Sequence, residues 1–236
     1  MRRVITILII STVLVGVAYS LIWLRTKGLK NLSVDEALPK GTVAYLQTKD
    51  LPQLISSLRN HSDFWKEFEG YDMISAINGK LEMIDSMSRK SNAFRDLIYG
   101  DMIISIQKLE KEYMPLFILS SENDNATEEI LKLISSDAGI DKRRFESMVV
   151  YDVEFSEDSV FNEGSFFEER GIFVFSPSQT LLEQTIRELS SNGEQIEPQL
   201  LKLRETAGED ALANIYYNYD ELAGFAGTIF SNTKIP

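Results

Sequence analysis

Three observations predict an α+β fold: an N-terminal transmembrane helix, then a mixed or antiparallel sheet with several packed helices. Residues 4–24 form an apolar run without a charge. Short strand-like segments recur between residues 42 and 219, and segments with apolar residues at helical spacing stand between them. With 236 residues, 44% of them hydrophobic, the chain has ample material for a core. It has no cysteine, which excludes disulfide frameworks, thiolate catalysis and Cys-ligated zinc. A single histidine, His61, leaves at most one imidazole base.

The run VITILIISTVLVGVAYSLIWL over 4–24 reaches about 31 Å as a helix, enough to cross the hydrocarbon core. Arg2 and Arg3 precede it; Arg25, Lys27 and Lys30 follow, with Tyr19 and Trp23 near its C-terminal end. The competing reading is a cleaved signal peptide at Ala18-Tyr19-Ser20, which would leave Leu21–Leu24 as an apolar new terminus. That terminus favours an uncleaved anchor in the bacterial cytoplasmic membrane, and a short N-terminal tail with an immediate Arg-Arg, like that of an export signal, favours the following domain outside the cytoplasm. The lipid bilayer is then the first partner, through residues 4–24.

Residues 1–30 hold five of the 24 basic residues and none of the 36 acidic ones, so residues 31–236 carry a net −17. Such a charge repels phosphate backbones, and nucleic acid is not expected as a partner.

Residues 31–38 read as a linker, and Pro39 opens the folded part. Thr42–Gln47 reads as a strand, and Asp50 caps a helix from Leu51 and Pro52 with Leu51, Leu54, Ile55 and Leu58 on one stripe. Phe64, Trp65 and Phe68 follow on an amphipathic turn, read as a core anchor or, alternatively, a partner-binding patch. A helix near 72–88 aligns Ile74, Ile77, Leu81 and Ile84; Asn92 caps another, ended by Gly100. Met102–Gln107 and Met114–Ser120 read as a hairpin with Lys108–Glu112 as its exposed loop. Asn125 starts a helix burying Ile130, Leu131, Leu133 and Ile134. Residues 145–155 alternate as one strand, with Val149, Tyr151, Val153 and Phe155 on one side; an acidic, Gly-containing loop and the strand Gly171–Phe175 come next. Ser176-Pro-Ser-Gln179 supplies a helix start, and Leu181, Leu182, Thr185, Ile186 and Leu189 its inner face. Ala211–Tyr219 reads as a strand running into a helix from Asp220.

That last unit repeats the opening one, aligning Asp50 with Asp220 and Ala44–Gln47 with Asn214–Tyr217. The expected organisation is therefore an anchor at 1–30, a linker at 31–38, an α+β domain at 39–210, and the start of a second lobe at 211–236 in a longer protein. The anchor, Leu38-Pro39-Lys-Gly-Thr-Val43, Thr48-Lys-Asp50-Leu, Asp63-Phe-Trp65, the stretch Leu81–Met87 and Phe173–Gln179 come in an order that resembles the bacterial membrane-anchored family DUF3352, over residues 38–230. The resemblance implies no activity and no catalytic residue.

Candidate chemistry is sparse. His61 sits in Arg59-Asn-His-Ser-Asp63; a triad of Ser62, His61 and Asp63 is excluded because adjacent side chains point apart. The densest charge is acidic: Asp152, Glu154, Glu157, Asp158, Glu163, Glu168 and Glu169, without the D-x-[DN]-x-[DN]-G order of a calcium loop. It reads as a solvated strand face and exposed loop, with weak calcium binding or a paired-carboxylate glycosidase as alternatives. Tyr216, Tyr217 and Tyr219 read as half-buried strand residues, with sugar or peptide stacking as the alternative, and Gly224 and Gly227 as a close-packing helix face. No catalytic, cofactor-binding or metal residue is assigned. The expected function is a non-enzymatic, membrane-tethered binding or assembly module of the cell envelope with an envelope protein as partner. The alternative is an enzyme or small-ligand-binding domain whose site a missing C-terminal half completes.

Overall fold

Eight strands join edge to edge in the computed structural model, which describes residues 31–61, 84, 86–110, 112–123, 125–135, 138–155, 163–191, 207–208 and 211–232. Among the described residues the order is a 3-10 turn (Val34–Ala37), β1 (Thr42–Thr48), α1 (Leu51–His61), α2 (Asn92–Ile98), β2 (Met102–Leu109), β3 (Glu112–Ser120), α3 (Ala126–Ile134), β4 (Ala138–Phe145), β5 (Met148–Phe155), β6 (Glu163–Glu169), β7 (Ile172–Ser176), α4 (Gln179–Ser190), β8 (Ala213–Tyr217) and α5 (Tyr219–Asn232). The chain divides at Asn31/Leu32, and the sheet belongs to the second unit, Leu32–Pro236.

The sheet runs β4-β5-β6-β7-β3-β2-β1-β8, and every neighbouring pair is antiparallel. The fold is thus α+β with an antiparallel sheet. Tight turns set the hairpins. Arg170 (φ 45) and Gly171 (φ 80) both take the left-handed conformation that suits the twist of a two-residue connection between β6 and β7. Leu109 faces Glu112, so β2 and β3 turn over two residues, with Glu110 left-handed at φ 55. The expected loop Lys108–Glu112 is therefore shorter, because Lys108 and Glu112 extend the ladder.

Alternation sends odd and even positions to two apolar layers. On the first face Tyr45, Ile103, Leu116, Ile118, Val150, Phe167, Ile172 and Val174 meet Leu181, Leu182, Ile186 and Leu189 of α4 and Val34, Ala37 and Leu38 around the 3-10 turn. On the second, Met102, Leu119, Val153, Phe166 and Phe173 meet Leu97 and Ile98 of α2 and Ile130 and Ile134 of α3. All five inner-face residues expected on α4 are buried. Within 31–38, read as a linker, Val34, Ala37 and Leu38 are buried, and Ser33 and Glu36 close a capping box around the turn.

Several boundaries move. Residues 145–155 are not one strand: Phe145 ends β4, Glu146 turns at φ 50, and Met148 begins β5. The acidic loop expected before Gly171 contains a strand, β6. Ser91 rather than Asn92 caps α2, its Oγ accepting Phe94 N–H at 3.1 Å, and Ser178 rather than Ser176 caps α4, accepting Leu181 N–H at 3.3 Å. Asp50 caps α1 as expected, accepting Gln53 N–H at 2.8 Å. Asn218 C=O takes the first bond of α5 from Leu222 N–H, and the helix begins at Tyr219, one residue before the expected start at Asp220.

Residues 4–24, Phe64, Trp65, Phe68, Ile74, Ile77, Leu81, Glu157 and Asp158 lie outside the described residues. Among the described residues no helix is long and apolar enough to cross a membrane.

Candidate functional site

Two places on the sheet have functional potential, and they lie at opposite edges. The first is the acidic region read from the sequence. Parity along β5 puts Asp152 and Glu154 on the first face, while Glu163 faces Glu154 across the β5–β6 ladder. With Asp141 of β4, Ser165 of β6 and Gln179 at the start of α4 they line an open cleft of about 310 Å³.

The geometry separates these carboxylates. Asp152 is tied on both oxygens: Arg143 donates through Nε at 2.5 Å and through Nη2 at 3.3 Å, and Ser165 Oγ donates at 2.5 Å. Arg143 also donates to Glu183 of α4 at 2.9 Å, so one guanidinium binds β4, β5 and α4 together. The hydrogen bond to Asp152 holds the Arg143 guanidinium above its ordinary range; burial opposes this, and the charges of Asp152 and Glu183 add to it. Ser165 is buried, and the carboxylate that accepts from it, Asp152, is already paired with a guanidinium. Its hydroxyl is committed as a donor to that paired carboxylate. Asp141, Glu154 and Glu163 are exposed and face water.

The rest of the acidic run does other work. Glu168 points to the second face, where it accepts Thr127 N–H at 3.1 Å and the Thr127 hydroxyl, and so caps α3 from a distant strand. Asn125, expected to cap that helix, makes no side-chain cap bond. Glu169 lies 3.7 Å from Arg170. Among the described residues, no group of three or more His, Asp or Glu is placed to hold a metal ion. His61 is the last residue of α1, and Asp63 lies outside the described residues.

The second place is the outer edge of the sheet at β8. Its tyrosines divide: Tyr216 stacks on Tyr45 at 4.6 Å between ring centroids and is buried, as a strand residue should be. Tyr217 is 52% exposed, Ile215 68% and Tyr219 81%, with Leu212 also open. No family model, curated protein or solved structure matches the chain.

The two sheet edges differ in chemistry. At the β4 edge, Asp141, Lys142, Arg143 and Arg144 place four charges in succession, and charged side chains discourage another strand from pairing there. β8, of sequence ANIYY, has no charge, proline or bulge. Its ladder with β1 is fixed by the bond from Asn218 N–H to Val43 C=O at 2.7 Å, which makes 43/218 a hydrogen-bonded pair. Alternation then makes 45/216 and 47/214 hydrogen-bonded too, and turns the N–H and C=O of Ala213, Ile215 and Tyr217 away from β1. The sequence signal for this edge is the uncharged, aromatic composition of ANIYY; that it lies at an edge comes from the topology.

Proposed function

We propose that this chain is a membrane-tethered, non-enzymatic binding or assembly module of the bacterial cell envelope whose contact surface is the β8 edge. The observation that carries the reading is the row of outward backbone groups at Ala213, Ile215 and Tyr217, with which no strand pairs among the described residues, beside exposed Ile215, Tyr217 and Tyr219. Such a row is a template for an added strand, with backbone bonds giving affinity and side chains giving selection. The apolar run 4–24 supports tethering by a single pass, with the N-terminus inside and the acidic domain outside the cytoplasm. The resemblance of residues 38–230 to DUF3352 belongs to the same proposal and brings no activity with it.

A photo-crosslinking amino acid at position 215, introduced into the full chain in whole cells, tests the surface. Adducts are expected at 215 and not at Arg144 on the opposite edge; equal labelling at both, or none at either, overturns the reading. Protease added to spheroplasts tests the tether. Cleavage beyond residue 31 with 1–30 retained in the membrane fraction is expected, and full protection reverses the orientation.

A further inference from the structure

We infer that β8 and α5 dock on the rest of the sheet and leave it as one unit, and that this docking switches the β8 contact surface on. The first part stands on geometry alone; the second deepens the proposed role of the edge and rests on it.

β8 combines two weaknesses. Among the described residues β1 is its one strand neighbour, and no tight turn joins the two. The other edge strand, β4, is tied to β5 by the turn at Glu146. Of the five residues of β8 Tyr216 alone is buried, so the strand adds a single side chain to the core. Few buried contacts place an element at the low end of local stability. When β8 leaves, β1 keeps its ladder with β2, and no other strand loses a neighbour.

Asn218 makes β8 and α5 one unit. Its N–H closes the ladder on Val43 C=O at 2.7 Å, its C=O accepts Leu222 N–H at 3.0 Å, and its side-chain oxygen accepts Asp220 N–H at 3.0 Å. Departure of β8 from β1 therefore carries the start of α5 with it. The helix is latched in turn to the β2–β3 hairpin. Lys108 Nζ donates to Glu221 at 2.6 Å, Phe225 packs edge-on against Tyr113, and a Cβ built on Gly224 would stand 2.9 Å from the Tyr113 hydroxyl. The latch thus reaches past β1 to strands that β8 itself does not touch.

The outward row at Ala213, Ile215 and Tyr217 exists in the docked state, because a short strand without a neighbour keeps no fixed extended backbone in water. Docking and the binding of a strand along that row therefore favour one another by the same factor.

Hydrogen exchange of the full chain in detergent micelles tests the common opening. Asn214 and Tyr216, whose amides face β1, and Leu222 and Phe225 of α5 are expected to share one protection factor, below that of Ile118 and Val174 in the middle of the sheet. Tyr113→Ala is expected to lower protection about tenfold at all four amides, and Lys108→Gln about threefold. A fall confined to α5, with Asn214 and Tyr216 unchanged, overturns the common opening. The chain has no cysteine, so Thr48→Cys with Ala213→Cys makes a defined staple across a non-hydrogen-bonded pair, whose Cα separation of about 4.5 Å is within disulfide reach. The staple is expected to raise protection at Leu222 and Phe225, although it lies outside the helix; unchanged protection there also overturns the common opening.

Photo-crosslinking from position 215 tests the switch. Lys108→Glu with Tyr113→Ala sets a carboxylate against Glu221 and removes the aromatic contact. Adducts are expected to follow the docked fraction that exchange reports, falling at least about fivefold in this double variant and returning when the staple is added. Adducts undiminished while exchange shows the unit open overturn the switch and leave the contact surface standing. Absence of adducts in the parent chain overturns the contact surface and the switch with it, while exchange still decides the common opening.

Discussion

A Cβ built on Gly164 would stand 2.4 and 2.6 Å from the Phe175 ring and 3.3 Å from Ser176 C=O. That ring is held by Phe117 at 5.8 Å and Phe155 at 6.4 Å between centroids, so it has little room to retreat. Gly164→Ala is therefore expected to destabilise the protein by about 1–3 kcal/mol, read as a lowered denaturation midpoint with unchanged slope. Asp152→Ala strips Arg143 and Ser165 of their shared acceptor and should cost about 1.5–3 kcal/mol by the same measurement; an unchanged midpoint would remove the structural role given to Asp152. Single residues are only partly legible in the sequence. The apolar stripe of α4 is, because Leu181, Leu182, Ile186 and Leu189 at helical spacing leave one solution. The caps shift by one or two positions because Ser91 and Asn92, or Ser176 and Ser178, have nearly equal capping chemistry. The role of Glu168 as the cap of α3 is invisible along the chain, since it lies 41 residues from Thr127.

β4 and β6 are the elements that the sequence hides. β4 is an edge strand carrying four charges, so its apolar alternation is weak, whereas β6 presents three glutamates and a glycine around Ser165, Phe166 and Phe167, which are buried because helices cover both faces there. By contrast β2, β3 and β7 are legible as strands because apolar residues stand on both of their faces. Two contacts tie the β2–β3 hairpin to α5: Lys108 Nζ of β2 lies 2.6 Å from Glu221, and Tyr113 of β3 packs edge-on against Phe225 at 5.1 Å. The hydrogen bond to Glu221, and then its charge, raise the Lys108 amine above its ordinary value of 10.5. A group raised in the folded state stabilises it in full below the ordinary value and loses that contribution as pH rises through the folded one. The melting temperature of Lys108→Gln should thus lie below that of the parent at pH 8, and the gap should close as pH rises beyond 10.5. A gap constant across that range would show that the pair contributes nothing through charge.

At the largest scale, the described residues of Leu32–Pro236 form a sheet with an apolar layer on each face, and the two layers are separated by the sheet itself. Ile186 of α4 belongs to one and Ile130 of α3 to the other. Replacing each by Ala should cost about 2–5 kcal/mol, and the double variant should equal the sum within about 0.5 kcal/mol. A larger discrepancy would mean that strain passes through the sheet from one layer to the other. At this scale the sequence gives the class of fold but not the order of strands. Local pattern shows that residues 42–48 and 213–217 are extended; that they are neighbours depends on which edge stays open after the hairpins have formed.

That separation has a consequence for synthesis. β1 leaves the ribosome some 165 residues ahead of β8, an interval of roughly 10–30 s at ordinary elongation rates. Through that interval Tyr45 lacks its stacking neighbour and β1 stands bare on the flank that β8 will cover. A nascent chain at this stage has its greatest tendency to pair wrongly with another emerging from the same polysome, and slow codons between residues 48 and 213 would lengthen the exposure.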